Sequence, residues 1–238
     1  MESKITPSIE EYMEALFHLQ EKGKAVSTKA LAVQLNLKPA SITEMIKKLA
    51  ARRLVTYRPY RGVTLTKNGR QAAAVLVRRH RLSERFLADM LGVPWEDLHD
   101  EACKFEHVIS DKVEEKLLEA LGNPTTCPHG NPIPSATGEV SEQATVPLSQ
   151  FSPGESGDIT KITEEKTEFL QYLASLGMLP GVSVRVEEVA PFGGPIIIKM
   201  RCGSYAIGRD IASNIYLKPS STVRLHEKHQ QRRQRGER

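Results

Sequence analysis

The stretch STKALAVQLNLKPASITEMIKKLAARR, residues 27–53, decides which fold we expect for the N-terminal part of the chain. Ser27 or Thr28 is a suitable N-cap for a short helix, and Pro39 stands where the first residue of a second helix is expected. Only a short turn at 36–38 separates the two helices. Two short helices joined by so tight a turn are typical of a helix-turn-helix.

Two β-branched runs follow the second helix directly. LVTYRP covers residues 54–59 and GVTLT covers residues 62–66, and this spacing predicts a hairpin. Ahead of the two helices, SIEEYMEALFHLQEK, residues 8–22, has apolar residues at helical spacing and predicts an amphipathic helix. A helix-turn-helix followed by a hairpin predicts a winged helix.

The second helix of the pair has a polar face that suits DNA. Its apolar positions Ile42, Ile46 and Leu49 are expected to face the core, which leaves hydroxyl and lysine side chains outward. Such side chains reach phosphates and base edges when the helix lies in the major groove. The alternative is a winged helix used for protein contacts. The candidate DNA-contacting residues are Ser27, Thr28, Lys38, Pro39, Ser41, Thr43, Lys47, Arg58 and Arg61.

The net charge of +4 hides an uneven distribution. Residues 1–75 contain 13 Lys and Arg against 6 Asp and Glu, whereas residues 76–150 contain 7 against 13. A basic first third is typical of a polyanion-binding head, and the acidic middle indicates carboxylates with another task. Clustering of surface charge by chance is the alternative interpretation.

The composition narrows the class of protein. A length of 238 residues predicts two domains, or one with an appendix, and 39% hydrophobic with 26% charged residues is ordinary for a globular protein. Three widely spaced cysteines make a disulfide framework unexpected. No apolar run approaches the roughly 20 residues that a membrane span needs, and MESKITPSIEEY has no apolar targeting segment. We therefore expect a cytoplasmic protein without a membrane partner.

Two predicted helices after the hairpin, at residues 67–91 and 94–121, carry candidate metal ligands. On each of them a His stands four residues before a Glu or a Cys, so the two side chains share a helix face. Each such residue, taken singly, is more often structural than a ligand. Their density, together with a Cys-Pro-His element farther on, predicts transition-metal binding. The candidates are His80, Glu84, His99, Cys103, Glu106, His107, Cys127 and His129, with Glu11 and Glu14 on the first helix.

The rest of the chain indicates a linker and a small β domain. Residues 122–158 are rich in Pro, Gly, Ser and Thr and lack a helical period. Short β-like runs follow, interrupted by one predicted helix at 164–177, and this pattern fits a small barrel. Glu165 and Glu168 stand near the start of that helix.

Several of these runs resemble one family. The string HDEACKFEH at 99–107, with RRHRLSERFLADMLGV before it and CPHGNPIP after it, resembles the diphtheria toxin repressor family of iron- and manganese-dependent transcriptional repressors. The resemblance covers practically the whole chain and implies a mainly α fold with small β elements. It implies a winged helix-turn-helix at 1–72, a helical metal-binding and dimerisation domain at 73–138, a linker at 139–155, an SH3-like barrel akin to ferrous transport protein A at 156–226, and a basic disordered tail at 227–238.

The resemblance also implies two metal sites, and hence two ions per subunit. The primary regulatory site falls on Glu11, Cys103, Glu106 and His107, with Glu14 near it. An ancillary site falls on His80, Glu84 and His99, with Glu165 and Glu168 supplied by the SH3-like domain. In family members with a CPHG element, Cys127 and His129 join Glu84 in this second site. Both ligand sets are present here, so which of them completes the second site stays open.

The implied function is metal-dependent repression. The family binds a double-stranded DNA operator as a homodimer and represses metal-uptake genes when Mn(II) or Fe(II) is bound. Iron-type members have Met where this chain has Glu11, and a hard carboxylate favours Mn(II), whereas the sulfur of Cys103 favours Fe(II). We therefore expect Mn(II), with Fe(II) close behind.

Two rival functions differ in kind from this one. A metal-dependent hydrolase would also gather His, Glu and Cys, but the chain has no HExxH string and no nucleophile elbow, so no enzyme is expected. A thiol-redox or small-ligand-responsive winged-helix regulator would use Cys103 and Cys127 as sensors. It would bind DNA without added metal, which a chelator experiment tests.

Overall fold

The computed structural model describes residues 7–20, 25–141 and 144–220. These residues form two compact units. The first unit comprises the described residues up to Ser83 together with Ala102–Pro124 and Ile133–Ser141, and the second comprises Glu84–Glu101, Thr125–Pro132 and those from Ala144 onward. The basic tail predicted at 227–238 and the end of the predicted barrel at 221–226 lie outside the described residues.

The predicted helix-turn-helix is confirmed. Its elements, with the helix before them, are α1 (Pro7–Gln20), α2 (Thr28–Gln34) and α3 (Pro39–Ala51). The Ser27 side chain caps α2 by accepting a hydrogen bond of 3.0 Å from the Ala30 N–H, and Pro39 opens α3 as its first residue. Asn36 turns the chain between the two helices with φ of 51°, a left-handed conformation that Asn tolerates better than most residues.

The predicted hairpin is also present, as β1 (Val55–Arg58) and β2 (Gly62–Leu65). The strands are antiparallel and run in register from Val55 opposite Leu65 to Arg58 opposite Gly62. Together with α1, α2, α3 and the first half of α4 (Lys67–Leu91), they enclose one apolar core. That core includes Met13, Leu16, Phe17, Leu31, Ile42, Ile46, Leu49, Val63 and Val77.

The single helix predicted at 94–121 is wrong. The segment forms a 3-10 turn at Trp95–Asp97, helix α5 (Leu98–Phe105), a second 3-10 turn at Glu106–Val108 and helix α6 (Asp111–Ala120). The break arises because Ile109 is extended and the Ser110 side chain caps α6 by accepting from the Val113 N–H. A restarted helix loses the phase of the earlier apolar positions, so Val113 is 44% exposed.

The second unit contains a six-stranded antiparallel sheet in the order β3-β8-β4-β5-β6-β7. Its elements are β3 (Val146–Pro147), β4 (Ser156–Ile162), α7 (Thr167–Ser175), β5 (Ser183–Val189), β6 (Ile196–Met200), β7 (Gly203–Ile207), α8 (Arg209–Ala212) and β8 (Ile215–Pro219). The fold class is therefore the expected one, helices with small sheets.

Part of the segment predicted as a linker is packed. Val146 pairs with Leu217 of β8, and Leu148 and Phe151 are buried in the core of the sheet. Strand β3 has only two residues, too few for an alternating pattern to reveal it. The predicted linker at 139–155 thus includes core residues of the second unit. No described helix is both long and apolar enough to cross a membrane.

Candidate metal centres and DNA-binding surface

Three side chains from separate elements of the first unit form what we call the first cluster: Glu14, His80 and Glu106. Glu14 lies on α1, His80 on α4 and Glu106 in the 3-10 turn after α5. Each offers one donor atom, and the three atoms lie within 4.8 Å of one another. His80 Nδ1 is 2.5 Å from Glu106 Oε2, and both side chains are buried. The cluster thus has two carboxylates and one imidazole in ligand-compatible positions.

Two more predicted ligands lie beside the first cluster. His107 Nδ1 is 2.5 Å from Glu10 Oε2, and its Nε2 is 3.7 Å from Glu106 Oε1. The Cys103 sulfur is half-buried and lies 4.0 Å from His80 Nδ1. The His107 side chain is 23% exposed, so this side of the cluster borders on solvent.

The local fold explains which carboxylates of α1 reach this region. Glu10 and Glu14 are four residues apart and share a face of α1, because one helical turn takes 3.6 residues. Glu11 is rotated from that face by about 100°. It is exposed and belongs to no group of ligand atoms found among residues 7–20, 25–141 and 144–220. Glu10, which is not among the ligands predicted from the sequence, contacts His107 instead.

Four side chains of the second unit form the second cluster: Glu84, Cys127, His129 and Glu165. Their donor atoms lie within 4.8 Å of one another. His129 Nδ1 is 3.0 Å from Glu84 Oε1 and 4.0 Å from Glu165 Oε1. Glu84 and His129 are 0% exposed and Cys127 is 2% exposed. This cluster combines oxygen, nitrogen and sulfur donors in a closed environment.

Hydrogen bonds hold the ligands of the second cluster in position. His129 Nε2 donates to the Trp95 carbonyl at 3.0 Å, which directs Nδ1 toward the carboxylates. The buried Asn131 side chain donates to Glu165 Oε1 at 2.7 Å and to the Ile162 carbonyl at 2.8 Å. Neither support is among the residues predicted from the sequence. The Asn131 amide follows the CPHG string directly and was available as a signal, whereas the Trp95 group is a backbone carbonyl that no pattern reveals.

The electrostatics of the second cluster follow from its burial. Burial, and then the Glu84 carboxylate, raise the pKa of the Cys127 thiol to about 11. Burial lowers the pKa of His129, but Glu84 and the hydrogen bonds to Cys127 and Glu84 outweigh it and raise the pKa well above 6.5. For Glu165, burial and the Glu84 carboxylate act to raise the pKa. The hydrogen bond to His99 and the charge of His99 act in the opposite direction and prevail, so the pKa of Glu165 is lowered to about 2. The buried carboxylates therefore require nearby positive charge.

Both clusters fit a transition-metal ion by donor type. In the second cluster, His129 donates its Nε2–H to a backbone carbonyl, as metal-binding histidines commonly do, and its Nδ1 faces the other donors. A divalent cation there would supply the positive charge that Glu84 and Glu165 require. In the first cluster, two carboxylates and an imidazole suit Mn(II) and Fe(II). The donor sets therefore support metal binding at either position.

The last two predicted ligands, His99 and Glu168, lie in different surroundings. His99 Nδ1 is 3.3 Å from Glu165 Oε2, so His99 lies at the edge of the second cluster. Glu168 is exposed on α7 and belongs to no ligand group within the described part of the chain. Glu165 and Glu168, predicted to act together, thus differ in their surroundings, because Glu165 precedes α7 whereas Glu168 lies in its first turn.

The predicted DNA-contacting residues lie on α2, α3, the turn before α3 and the hairpin. Lys38, Pro39, Ser41, Lys47, Arg58 and Arg61 are exposed, and Thr28 and Thr43 are half-buried. The Thr43 hydroxyl donates to the Pro39 carbonyl at 3.0 Å, and Ser27 is engaged as the cap of α2. Lys48 forms an ion pair of 2.7 Å with Glu44 on the same helix. Lys47 is not part of that pair and is exposed.

Family models match three consecutive parts of the chain. "Iron dependent repressor, N-terminal DNA binding domain" matches residues 4–63, "Iron dependent repressor, metal binding and dimerisation domain" matches residues 66–135, and "FeoA domain" matches residues 146–219. These assignments cover the winged helix, the helices that follow it and the six-stranded sheet.

Individual proteins agree with the family models. The iron-dependent repressor IdeR of Mycobacterium leprae is 32% identical over 206 residues, which cover 82% of this chain and 89% of that protein. The diphtheria toxin repressor of Corynebacterium glutamicum is 30% identical over 219 residues, covering 87% and 94%. A solved structure of a manganese-dependent transcriptional repressor in complex with manganese is 34% identical, with a TM-score of 0.83, and the match covers 89% of this chain and 99% of that one. The chain therefore belongs to the iron-dependent repressor family, and it is a metal-sensing transcriptional repressor that binds operator DNA as a homodimer.

Proposed function

We propose that this repressor binds two metal ions per subunit and that the ion at the first cluster switches DNA binding on. The observation that supports the proposal is that the ligands of the first cluster come from different structural elements. Glu14 belongs to α1, which packs in the core of the winged helix, while His80 and Glu106 come from α4 and from the turn after α5. Ligands drawn from these elements connect the DNA-binding head to the helices that follow it.

The mechanism follows from this connection. Glu14, His80 and Glu106 would hold the ion, and its positive charge would allow the two carboxylates to lie close together. Glu14 then holds α1 against α4, and the core residues shared by α1 and α3 transmit this restraint to the recognition helix. In a twofold dimer, the two copies of α3 must enter two DNA half-sites that lie one turn of the double helix, or a multiple of it, apart. The orientation of each α3 therefore decides whether both copies can bind at once. Metal binding and operator binding therefore strengthen each other.

The donors of the first cluster favour Mn(II), with Fe(II) close behind. Glu14 and Glu106 are hard oxygen donors and His80 suits either ion. The relatives are named for both metals, since IdeR is an iron-dependent repressor and the structural relative is manganese-dependent. We further propose that Cys103 and His107, which lie beside the cluster, bind the ion in the metal-loaded state. Glu11 is the weakest of the proposed ligands, because it is exposed and rotated from the face of α1 that carries Glu14.

We assign the second ion to the second cluster. Glu84, His129 and Glu165 supply nitrogen and oxygen, and Cys127 adds a sulfur donor that favours softer ions such as Fe(II), Co(II) or Zn(II). His99 hydrogen-bonds Glu165 and is proposed as an accessory residue, whereas Glu168 has the weakest claim because it is exposed. We also propose the domain order expected from the sequence, with the SH3-like domain beginning near Val146 because Val146, Leu148 and Phe151 belong to its sheet and core.

A thiol-redox mechanism is the competing function. Reactive sensor cysteines are accessible and have lowered pKa values, because the thiolate is the reactive form. Cys127 is 2% exposed and its pKa is raised to about 11, which is the opposite situation. Operator binding measured under reducing conditions, with and without a chelator, separates the two functions. Metal sensing predicts binding only with metal, and thiol sensing predicts binding in both samples.

Counting bound ions tests the proposal. After anaerobic dialysis against Mn(II), elemental analysis should find two ions per wild-type subunit and one per subunit of either Glu106→Gln or His129→Ala. Glu115 is an exposed acidic residue of α6, and Glu115→Gln is the control that should keep two. One ion in wild type, or two in either cluster variant, would contradict the assignment.

A further inference from the structure

The tip of the β1–β2 hairpin carries an aromatic side chain in an unusual position. Tyr60 is fully exposed, with a relative accessibility of 108%, and its φ is 62°. It is the third residue of a four-residue turn in which the Arg61 N–H donates to the Arg58 carbonyl at 3.0 Å. Pro59 occupies the second position, where its fixed φ suits a turn.

Neither the backbone nor the surface favours a tyrosine at this point. The third position of a turn with positive φ is normally taken by Gly or Asn, because a Cβ is strained there. A large ring fully exposed to water also gives up the gain from burial. The fold of the hairpin would be served better by Gly. A side chain that costs the fold something on both counts is a candidate for contact with another molecule.

The hairpin holds this side chain on a stiff support. Val26 and Val63 exchange backbone hydrogen bonds of 2.9 and 2.8 Å, which add a third strand position beside β2. A Cβ on Gly62 would lie 2.6 Å from the Val26 carbonyl oxygen, so the base of the tip is packed closely against residue 26. Gln20 also accepts a hydrogen bond of 3.0 Å from the Leu65 N–H. These contacts therefore hold the hairpin, and Tyr60 at its tip, in a fixed position.

The charge around the tip indicates the kind of partner. Arg58 and Arg61 flank Tyr60 and are exposed, and residues 54–66 contain no Asp or Glu. Arginines beside an exposed aromatic hydroxyl suit a phosphate-bearing surface with sugar faces between its charges. Operator DNA is the partner of this family that has such a surface.

We propose that Tyr60 contacts operator DNA through the wing, with its ring packed on the deoxyribose wall of a groove and its hydroxyl donating to a phosphate. The proposal rests on DNA binding by the winged helix but not on the identity of the metal. Contacts to sugar and phosphate position the protein without reading bases. Tyr60 should therefore strengthen binding to operator and non-operator DNA alike, and because the side chain is neutral it should leave the salt dependence nearly unchanged.

The second unit contains a matched control for this idea. Phe192 is 105% exposed and has φ of 55°, in the turn between β5 and β6. It shares with Tyr60 the exposed ring and the strained backbone, but it is not part of the winged helix. Replacing either residue by Gly should relieve strain, so neither variant should unfold at a lower temperature than wild type. Only the Tyr60 change should alter DNA binding.

The experiment is fluorescence anisotropy with operator and scrambled duplexes at saturating Mn(II), on wild type, Tyr60→Gly, Tyr60→Asn and Phe192→Gly. Both Tyr60 variants should bind each duplex about tenfold more weakly than wild type, and Phe192→Gly should bind normally. Asn tolerates the positive φ, so it keeps the turn if Gly loosens it. Wild-type affinity in Tyr60→Asn, or an equal loss in Phe192→Gly, would overturn the proposal. If wild type itself binds equally well without metal, the metal switch fails while the Tyr60 comparison can still be read.

Discussion

The two ligand clusters differ in how completely the fold closes them. In the second cluster, Glu84, Cys127 and His129 are at most 2% exposed, and hydrogen bonds from His129 to a backbone carbonyl and from Asn131 to Glu165 fix the ligands. In the first cluster, His80 and Glu106 are 3% and 5% exposed and Glu14 is half-buried. Each cluster has a partly exposed histidine beside it, His107 at 23% for the first cluster and His99 at 33% for the second. Both clusters draw their ligands from separate elements, but the first includes Glu14 of α1, a helix of the winged-helix domain.

This difference separates two tasks for bound metal. A closed site with supported ligands holds its ion tightly and adds its binding free energy to the stability of the fold. A site that takes a ligand from α1 changes how the winged helix is held whenever it gains or loses its ion as the free concentration changes. We infer that the second cluster stabilises and the first cluster senses. The following changes test that division.

The largest effect is expected from Glu106→Gln. The change removes a buried carboxylate of the first cluster while keeping the shape of the side chain, so metal-activated operator binding should fall by about 100-fold or more, beyond the loss typical of a supporting residue. Operator titration at saturating Mn(II) measures it, and size-exclusion chromatography should still show the dimer. Glu115→Gln should behave as wild type. Normal activation in Glu106→Gln would remove the first cluster from the mechanism.

A loss of stability should follow from His129→Ala. The change leaves Glu84 and Glu165 buried without their cationic neighbour, and breaking such a pair costs about 3 kcal/mol. Thermal unfolding with and without Mn(II) or Co(II) is the measurement. Through the second cluster, Glu106→Gln should gain about 2.7 kcal/mol of stability from metal at 100 times the dissociation constant, and wild type should gain at least as much because it binds an ion at both clusters. The division fails if His129→Ala gains as much as wild type.

Cys127→Ser should change metal preference at the second cluster only. Losing the sulfur donor should weaken Co(II) binding there by about tenfold or more, while Mn(II) binding changes less. The Co(II)–thiolate absorption of the loaded protein should disappear in Cys127→Ser and persist in Cys202→Ser, since Cys202 is an exposed residue of the β6–β7 turn. If the absorption disappears in Cys103→Ser instead, the sulfur ligand belongs to the first cluster.

The smallest effects are expected at the DNA surface. Neutralising Lys47 on α3 or Arg61 in the hairpin should lower the magnitude of the salt slope by about 0.9 each, because each removes one phosphate contact. Affinity should fall alike for operator and scrambled DNA. The slope is read from binding at several salt concentrations with metal saturating. An unchanged slope in both variants would move the phosphate-binding surface elsewhere.

The winged helix was predictable because its signals are local. Ser27 caps α2, Pro39 opens α3, and the β-branched runs on either side of Tyr60 form the hairpin, so each signal acts within a few residues. The break after Phe105 was not predictable from periodicity, since apolar residues continue at helical spacing across it. Only the cap at Ser110 signals the restart of the chain as α6.

The ligand sets were predictable by residue type but not by arrangement. The density of His, Glu and Cys indicated metal, yet whether Glu10, Glu11 or Glu14 faces the cluster depends on how α1 packs. The Trp95 carbonyl that orients His129 is a backbone group, and it is brought there by tertiary structure alone. Sequence patterns therefore indicated which chemistry is present, and packing determined how it is distributed between the two clusters.

Anomalous diffraction at the manganese edge, from crystals of the Mn(II)-loaded dimer bound to operator DNA, tests the central claim most directly. In each subunit, one peak is expected beside Glu14, His80 and Glu106, and a second peak beside Glu84, Cys127, His129 and Glu165. A subunit with no peak beside Glu106, while the protein in the same crystals is bound to operator DNA, would contradict the claim that metal at the first cluster switches the repressor on.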